Sequence, residues 1–225
     1  MGRVARIVAP GFPHHVTQRG NRRADVFERD ADYQAYLGFL RQYAEQRGLS
    51  IWAYCLMTNH IHLVAVPDRE GSLGQALRDA HTVYAMYFNS RTGQCGHVWQ
   101  GRFFSCPLDE AHLWAAVRYV EGNPVRAGLV ARAEDYAWSS AAAHCGLRTD
   151  VVLSDEFPPA GVVEDWSGWL HAGHDDDDAH ERIRRQTRTG RPCASSKFLD
   201  HLEHLLQRTV RPRKGGRPRK TKENP

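Results

Sequence analysis

The chain has 225 residues, 41% of them hydrophobic and 25% charged, with a formal charge of +4; these are folded-protein values that exclude a largely disordered chain. Five scattered cysteines, Cys55, Cys95, Cys106, Cys145 and Cys193, form no Cys-x-x-Cys pair and argue for a reducing compartment rather than a disulfide scaffold. No apolar run approaches the length of a membrane span and the stretch 1–6 lacks the apolar core of a signal peptide, so no membrane partner and a cytoplasmic location are expected.

Taken in order, the alternating segment 14–18 reads as a first strand, followed by the turn-prone Arg19-Gly20-Asn21-Arg22-Arg23, whose cations suit phosphate as well as they suit a solvated loop. From Asp30, the recurrence of Tyr33, Tyr36, Leu37, Leu40, Tyr43 and Ala44 predicts a helix closed by Gly48. A second strand over 49–55 leads through Met57-Thr58-Asn59 into the apolar run around His60 and His62, a third strand. Gly71-Ser72 opens a helix from Leu73 to about Asn89, and 98–107 is expected to be extended. In that stretch Trp99, Phe103 and Phe104 suit either base stacking or the core, and Arg102 suits a DNA phosphate.

Asp109 caps the next helix, which carries Tyr119 and runs into Pro124. Beyond Ala143 periodicity weakens; Trp166, Trp169 and Leu170 predict a short docking helix, the Asp175 to Asp178 run a solvated helix start, and Ser195 or Ser196 the start of a last amphipathic helix. The end of the chain, from Arg211 to Lys222, is basic and free of apolar residues, as a flexible tail would be. Its Gly216-Arg217-Pro218-Arg219 resembles an AT-hook, with Arg217 and Arg219 as minor-groove cations, and a nonspecific polycationic tail would share that composition.

Two features carry chemistry. His60 and His62 are two apart on a strand and share a face, which makes half of a metal site; an amphipathic surface strand would place two polar residues at the same spacing. Tyr119 and Asn123 are four apart, so a helix brings a phenol and an amide oxygen to one side. Cys95 and His97 could instead join the two histidines in a closed zinc site, although no standard finger spacing is present.

Leu56-Met57-Thr58-Asn59-His60-Ile61-His62, with Arg118-Tyr119-Val120-Glu121-Gly122-Asn123-Pro124-Val125-Arg126-Ala127-Gly128, resembles the REP-associated tyrosine transposases of the single-tyrosine HUH superfamily, relatives of the insertion-sequence transposases. The blocks His15-Val16-Thr17-Gln18-Arg19-Gly20-Asn21, Trp99-Gln100-Gly101-Arg102-Phe103 and Asp135-Tyr136-Ala137-Trp138-Ser139-Ser140 extend the likeness over roughly residues 3–145, in the family's order.

The order of strands and helices fits an α+β chain with an antiparallel sheet covered by helices, and the resemblance sharpens this to a ferredoxin-like fold. The organisation expected is a catalytic domain at 1–145, a helical extension at 146–210 and the basic tail at 211–225. The resemblance implies Tyr119 as nucleophile, with His60, His62 and Asn123 holding Mg²⁺ or Mn²⁺. It further implies cleavage and rejoining of single-stranded DNA at hairpins of repeated extragenic elements, through a 5′-phosphotyrosine link. The insertion-sequence relatives carry glutamine where this chain has Asn123, and the shorter amide must sit closer to the ion. Arg19, Arg22, Arg23 and Arg102 are the expected DNA contacts, with the basic tail. The setting implied is a bacterial cytoplasm, at the nucleoid, and the family contains both monomers and homodimers. A non-cleaving repeat-DNA-binding regulator on the same fold is the alternative.

Overall fold

The computed structural model describes residues 6–158, 162–172 and 177–211. Four strands, β1 (His14–Arg19), β2 (Leu49–Met57), β3 (His60–Pro67) and β4 (Phe104–Pro107), form one sheet in the order β2-β3-β1-β4 with every neighbouring pair antiparallel. Eight helices surround it among the described residues: α1 (Asp30–Arg47), α2 (Ser72–Thr92), α3 (Glu110–Glu121), α4 (Asn123–Arg126), α5 (Ala141–His144), α6 (Trp166–Ala172), α7 (Asp177–Thr189) and α8 (Ser196–Leu206). This is the ferredoxin-like α+β arrangement, with a helical extension after it.

The sheet is covered on both sides, which explains why β3 is apolar almost throughout. Ile61, Leu63 and Ala65 pack with Tyr36 and Leu40 of α1 and Leu73, Leu77 and Tyr84 of α2. Val64 turns the other way, joining Ala53, Cys55 and Cys106 against Val117 and Val120 of α3 and Ile183 of α7. Each fully buried aliphatic or aromatic side chain of this kind contributes about 1.5–3 kcal/mol. A register shift between Ile51 and Ala53 lets Ile51 face the first core and Ala53 the second.

Glycines end the two long helices: Gly48 (φ 65°) and Gly93 (φ 66°) are left-handed, and their N–H groups donate to the carbonyls of Ala44 and Asn89. Thus α2 runs three residues past the expected end. The outer edge of β2 is occupied by the 136–140 segment, where Leu56 N donates to the Trp138 carbonyl and Ser140 N to that of Tyr54. Only 104–107 of the stretch expected to be extended joins the sheet; Gly101 (φ 66°) turns the chain before it. Trp99 and Phe103 are buried in the first core while Phe104 is partly exposed, so the first two are core residues rather than stacking platforms.

The extension shares the second core, to which it contributes Phe157, Trp166, Leu170, Ile183 and Cys193. Asp175 and Asp176, and the basic tail from Pro212 with Arg217 and Arg219, lie outside the described residues. Among the described residues no helix is long and apolar enough to cross a membrane.

Candidate active site

The face of the sheet towards α3 and α7 gathers the titratable groups. In the pairing of β1 with β3, His60 stands opposite Arg19 and His62 opposite Thr17, so the strand period places both imidazoles on one face as expected. Their ring centroids are 5.0 Å apart. Asn59 donates its amide N–H to the Arg23 carbonyl (3.2 Å), which turns its oxygen to accept from His60 Nδ1–H (2.7 Å) and leaves the lone pair on His60 Nε2. His62 Nδ1 lies 3.0 Å from Nε2 of His15, a β1 residue. Burial first, then the neighbouring Arg19, lowers the His60 pKa to about 4; burial, then the charges of His60 and His15, holds His62 well below the usual imidazole range. Both rings are therefore neutral near pH 7, the state in which imidazole ligates a metal.

Tyr119 of α3 lies against this pair, its ring 5.3 Å from His62 and 5.5 Å from His15, edge-on to both. The residue is only 4% exposed. Two guanidinium groups flank it. Arg126 of α4 stacks on the ring at 4.6 Å and donates to the Tyr119 carbonyl, and Arg184 of α7 donates from Nε to the Tyr119 hydroxyl at 3.4 Å. A side chain at Gly122 would meet the Arg118 carbonyl and Arg126 Nη1, each at 2.9 Å, so glycine there lets Arg126 fold back over the tyrosine. Nη1 of Arg126 is buried and has no hydrogen-bond partner among the described residues. The hydrogen bond to Tyr119 raises the Arg184 pKa above its ordinary value. His180, also on α7, stands 5.4 Å from the same ring.

Asn123 begins α4, one residue after Gly122 closes α3, and its amide N–H donates to the Val120 carbonyl at 3.3 Å. That bond caps the helix end and takes the nitrogen, so the oxygen is the atom left for a ligand. Among the described residues no three or more His, Cys, Asp or Glu side chains come close enough to hold a metal ion; Cys95 and His97, both exposed, therefore do not join His60 and His62 in a zinc site. Two neutral imidazoles beside one another suit a divalent cation, zinc and other transition metals as well as Mn²⁺.

The expected DNA contacts Arg19, Arg22, Arg23 and Arg102 are all exposed. Arg22 and Arg23 form a tight turn with positive φ (54° and 64°), locked to the His strand by Gly20 N donating to the Asn59 carbonyl at 2.8 Å.

Several residues of the site were not singled out from the sequence. Arg126 lies seven residues after Tyr119, two helical turns, a spacing that could have drawn attention to it. Arg184, His180 and Thr187 come from α7, far along the chain, and no local pattern ties them to Tyr119. Glu121, fully buried, accepts from Ser140 Oγ, from His144 Nδ1 (2.6 Å) and from Trp166 Nε1 (2.7 Å); His144, which reads as an isolated histidine, is thus bound to the end of α3.

Residues 11–123 match the model of the family described as "Transposase IS200 like". A REP-associated tyrosine transposase, solved bound to a REP hairpin, shares the fold with a TM-score of 0.55 and 20% identity over 73% of this chain and 98% of its own. A protein of Deinococcus radiodurans R1 described as a transposase is matched at 17% identity and a TM-score of 0.38, over 54% of this chain and 94% of its own. A search of the curated proteins found no match.

Proposed function

The chain belongs to the IS200-like transposases, a family that acts on DNA, and we propose that it is a metal-dependent single-strand nuclease and strand transferase that cleaves and rejoins DNA through Tyr119. The observation that carries this reading is the meeting of Tyr119 with His62 on one side and Arg184 on its hydroxyl. His60, His62 and the Asn123 oxygen would hold Mg²⁺ or Mn²⁺, which would neutralise charge on the phosphoryl oxygens of the scissile phosphate. Tyr119 supplies the nucleophile: its hydroxyl loses its proton to solvent, its oxygen bonds to phosphorus, the bond to the 3′-oxygen breaks, and that oxygen takes a proton from solvent and leaves as a hydroxyl. DNA remains joined to Tyr119 by a 5′-phosphotyrosine link, and a second 3′-hydroxyl reverses the step. Arg184 and Arg126 stabilise the negative charge that the phenol oxygen carries as it reacts, and the unspent Arg126 Nη1 supports an anionic ligand beside the ring.

The DNA expected is a single strand or hairpin from repeated extragenic elements, by analogy of fold with the hairpin-bound transposase. Arg19, Arg22, Arg23 and Arg102 would track its backbone. Purified protein incubated with hairpin-bearing oligonucleotides and Mg²⁺ or Mn²⁺ is expected to give a covalent adduct on a denaturing gel, absent with Tyr119→Phe and absent with EDTA. Tight hairpin binding without an adduct under either metal would overturn the enzyme reading in favour of a non-cleaving regulator, which the burial of Tyr119 beneath α7 favours as the second reading.

A further inference from the structure

Behind His62 a chain of hydrogen bonds runs into α7. His62 Nδ1 meets His15 Nε2 at 3.0 Å, and His15 Nδ1 meets Thr187 Oγ1 at 2.6 Å; His15 and Thr187 are each 1% exposed. The Thr187 contact with Ile183 favours one direction for these bonds. Thr187 has one hydroxyl proton, and it donates this proton to the Ile183 carbonyl one turn back in α7, at 2.8 Å. Its oxygen can then only accept, from His15 Nδ1–H and from Cys106 Sγ–H at 3.2 Å, which uses both lone pairs. His15 is buried and its hydrogen-bond partners are Thr187 and His62, with no carboxylate among them, so the ring stays neutral and carries a single proton. With that proton on Nδ1, His15 Nε2 is an acceptor, and the proton between the two rings belongs to His62 Nδ1. His62 Nε2 keeps its lone pair and has no hydrogen-bond partner among the described residues, matching the tautomer that Asn59 sets on His60.

We propose that His15 is a positioning residue: anchored by Thr187, it holds His62 in the Nδ1–H form and leaves Nε2 free to bind the divalent cation. This rests on the reading of His60 and His62 as cation ligands. The opposite polarity, with Thr187 donating to His15, would place a proton on His15 Nε2, make His62 Nδ1 the acceptor and put the remaining proton on His62 Nε2, which could not then ligate. A threonine on α7, outside the 11–123 stretch that matches the family, thereby determines the ligand state of a strand histidine. Partners of this kind typically change metal affinity 10–100-fold when removed.

The test uses the full chain with ¹⁵N-labelled histidine. In the metal-free wild type, the ring nitrogen shifts are expected to report His62 protonated at Nδ1. Thr187→Val keeps the side chain's shape and removes the acceptor, and His15→Leu removes the relay; in both, His62 is expected to populate the Nε2–H form and Mn²⁺ affinity, read by electron paramagnetic resonance titration, to fall about 10–100-fold. His15→Gln, whose amide oxygen can accept where Nε2 did, is expected to restore both. If His62 stays Nδ1–H in Thr187→Val and His15→Leu, or Mn²⁺ affinity is unchanged while its tautomer shifts, the positioning role is overturned. A wild type with the stated tautomers that binds no Mn²⁺ would overturn the cation reading itself, a result distinguishable from loss of the relay.

Discussion

Arg184 and Tyr119 are 65 positions apart in sequence, yet the guanidinium Nε of one donates to the hydroxyl of the other at 3.4 Å. The contact joins α7 of the extension to the α3 tyrosine, so the hydroxyl of the proposed nucleophile is met by a segment beyond the part of the chain that matches the family. A positive donor beside a developing oxyanion stabilises it, and because the Arg184 side chain is half exposed, solvent screens part of that effect. Arg184→Gln is therefore expected to lower the single-turnover rate of adduct formation about 10-fold, with oligonucleotide binding nearly unchanged. An adduct rate equal to that of the wild type would remove Arg184 from the reaction.

Glu121 is the second tie between α3 and the extension. Its buried carboxylate accepts from Ser140, His144 and Trp166, and truncating it would leave those three donors without their acceptor inside the core. Glu121→Ala is expected to cost about 3–5 kcal/mol, measured by urea denaturation followed at tryptophan fluorescence, and Glu121→Gln less, because an amide oxygen still accepts. A loss below about 1 kcal/mol for the alanine variant would show that this network does not secure the helix end.

What the sequence made legible follows from periodicity. The strand period of two placed His60 and His62 on one face, the helical stripes located α1, α2 and α3, and the block order pointed to the ferredoxin-like sheet. The cross-chain contacts were not legible. His15 reads only as a strand residue until the β1–β3 register sets it diagonally behind His62, and Arg184 is one arginine in a helix rich in them. Asn123 shows a different limit: four residues from Tyr119 is the right spacing for one helical face, but α3 closes at Gly122, and the amide first satisfies the helix end before its oxygen is available to a ligand.

Two buried histidines away from the site set a pH limit on stability. His14 takes the Ala9 N–H on Nε2 (3.2 Å) and donates from Nδ1 to the Phe12 carbonyl (2.8 Å), and His81 Nε2 accepts from the Tyr36 hydroxyl (3.0 Å), so both are satisfied as neutral rings. Burial lowers their pKa values to about 4 and about 3, from 6.5. Between pH 6.5 and about 4 the unfolded chain binds protons that the folded chain refuses, so stability falls as pH falls, by up to about 1.4 kcal/mol per unit for each ring. Tm is expected to drop on going from pH 7 to pH 5. In His81→Gln, where the amide oxygen accepts from Tyr36 and cannot be protonated at these pH values, the drop is expected to be shallower; an equal slope would exclude His81 as a source.

The Arg22-Arg23 turn is the cationic surface proposed for a DNA strand that reaches His60. Both residues are exposed and hold left-handed backbone that is uncommon for arginine, and the Arg23 carbonyl is gripped by Asn59, the residue that also orients His60. One residue, Asn59, thus holds both the turn and His60. Each phosphate that a cation neutralises on single-stranded DNA contributes about 0.7 to the slope of log K against log salt. Arg22→Ala with Arg23→Ala is therefore expected to weaken binding to all oligonucleotides alike and to flatten that slope by about 1.4, measured by fluorescence anisotropy over a salt series. Wild-type affinity with an unchanged slope would mean that the strand enters elsewhere.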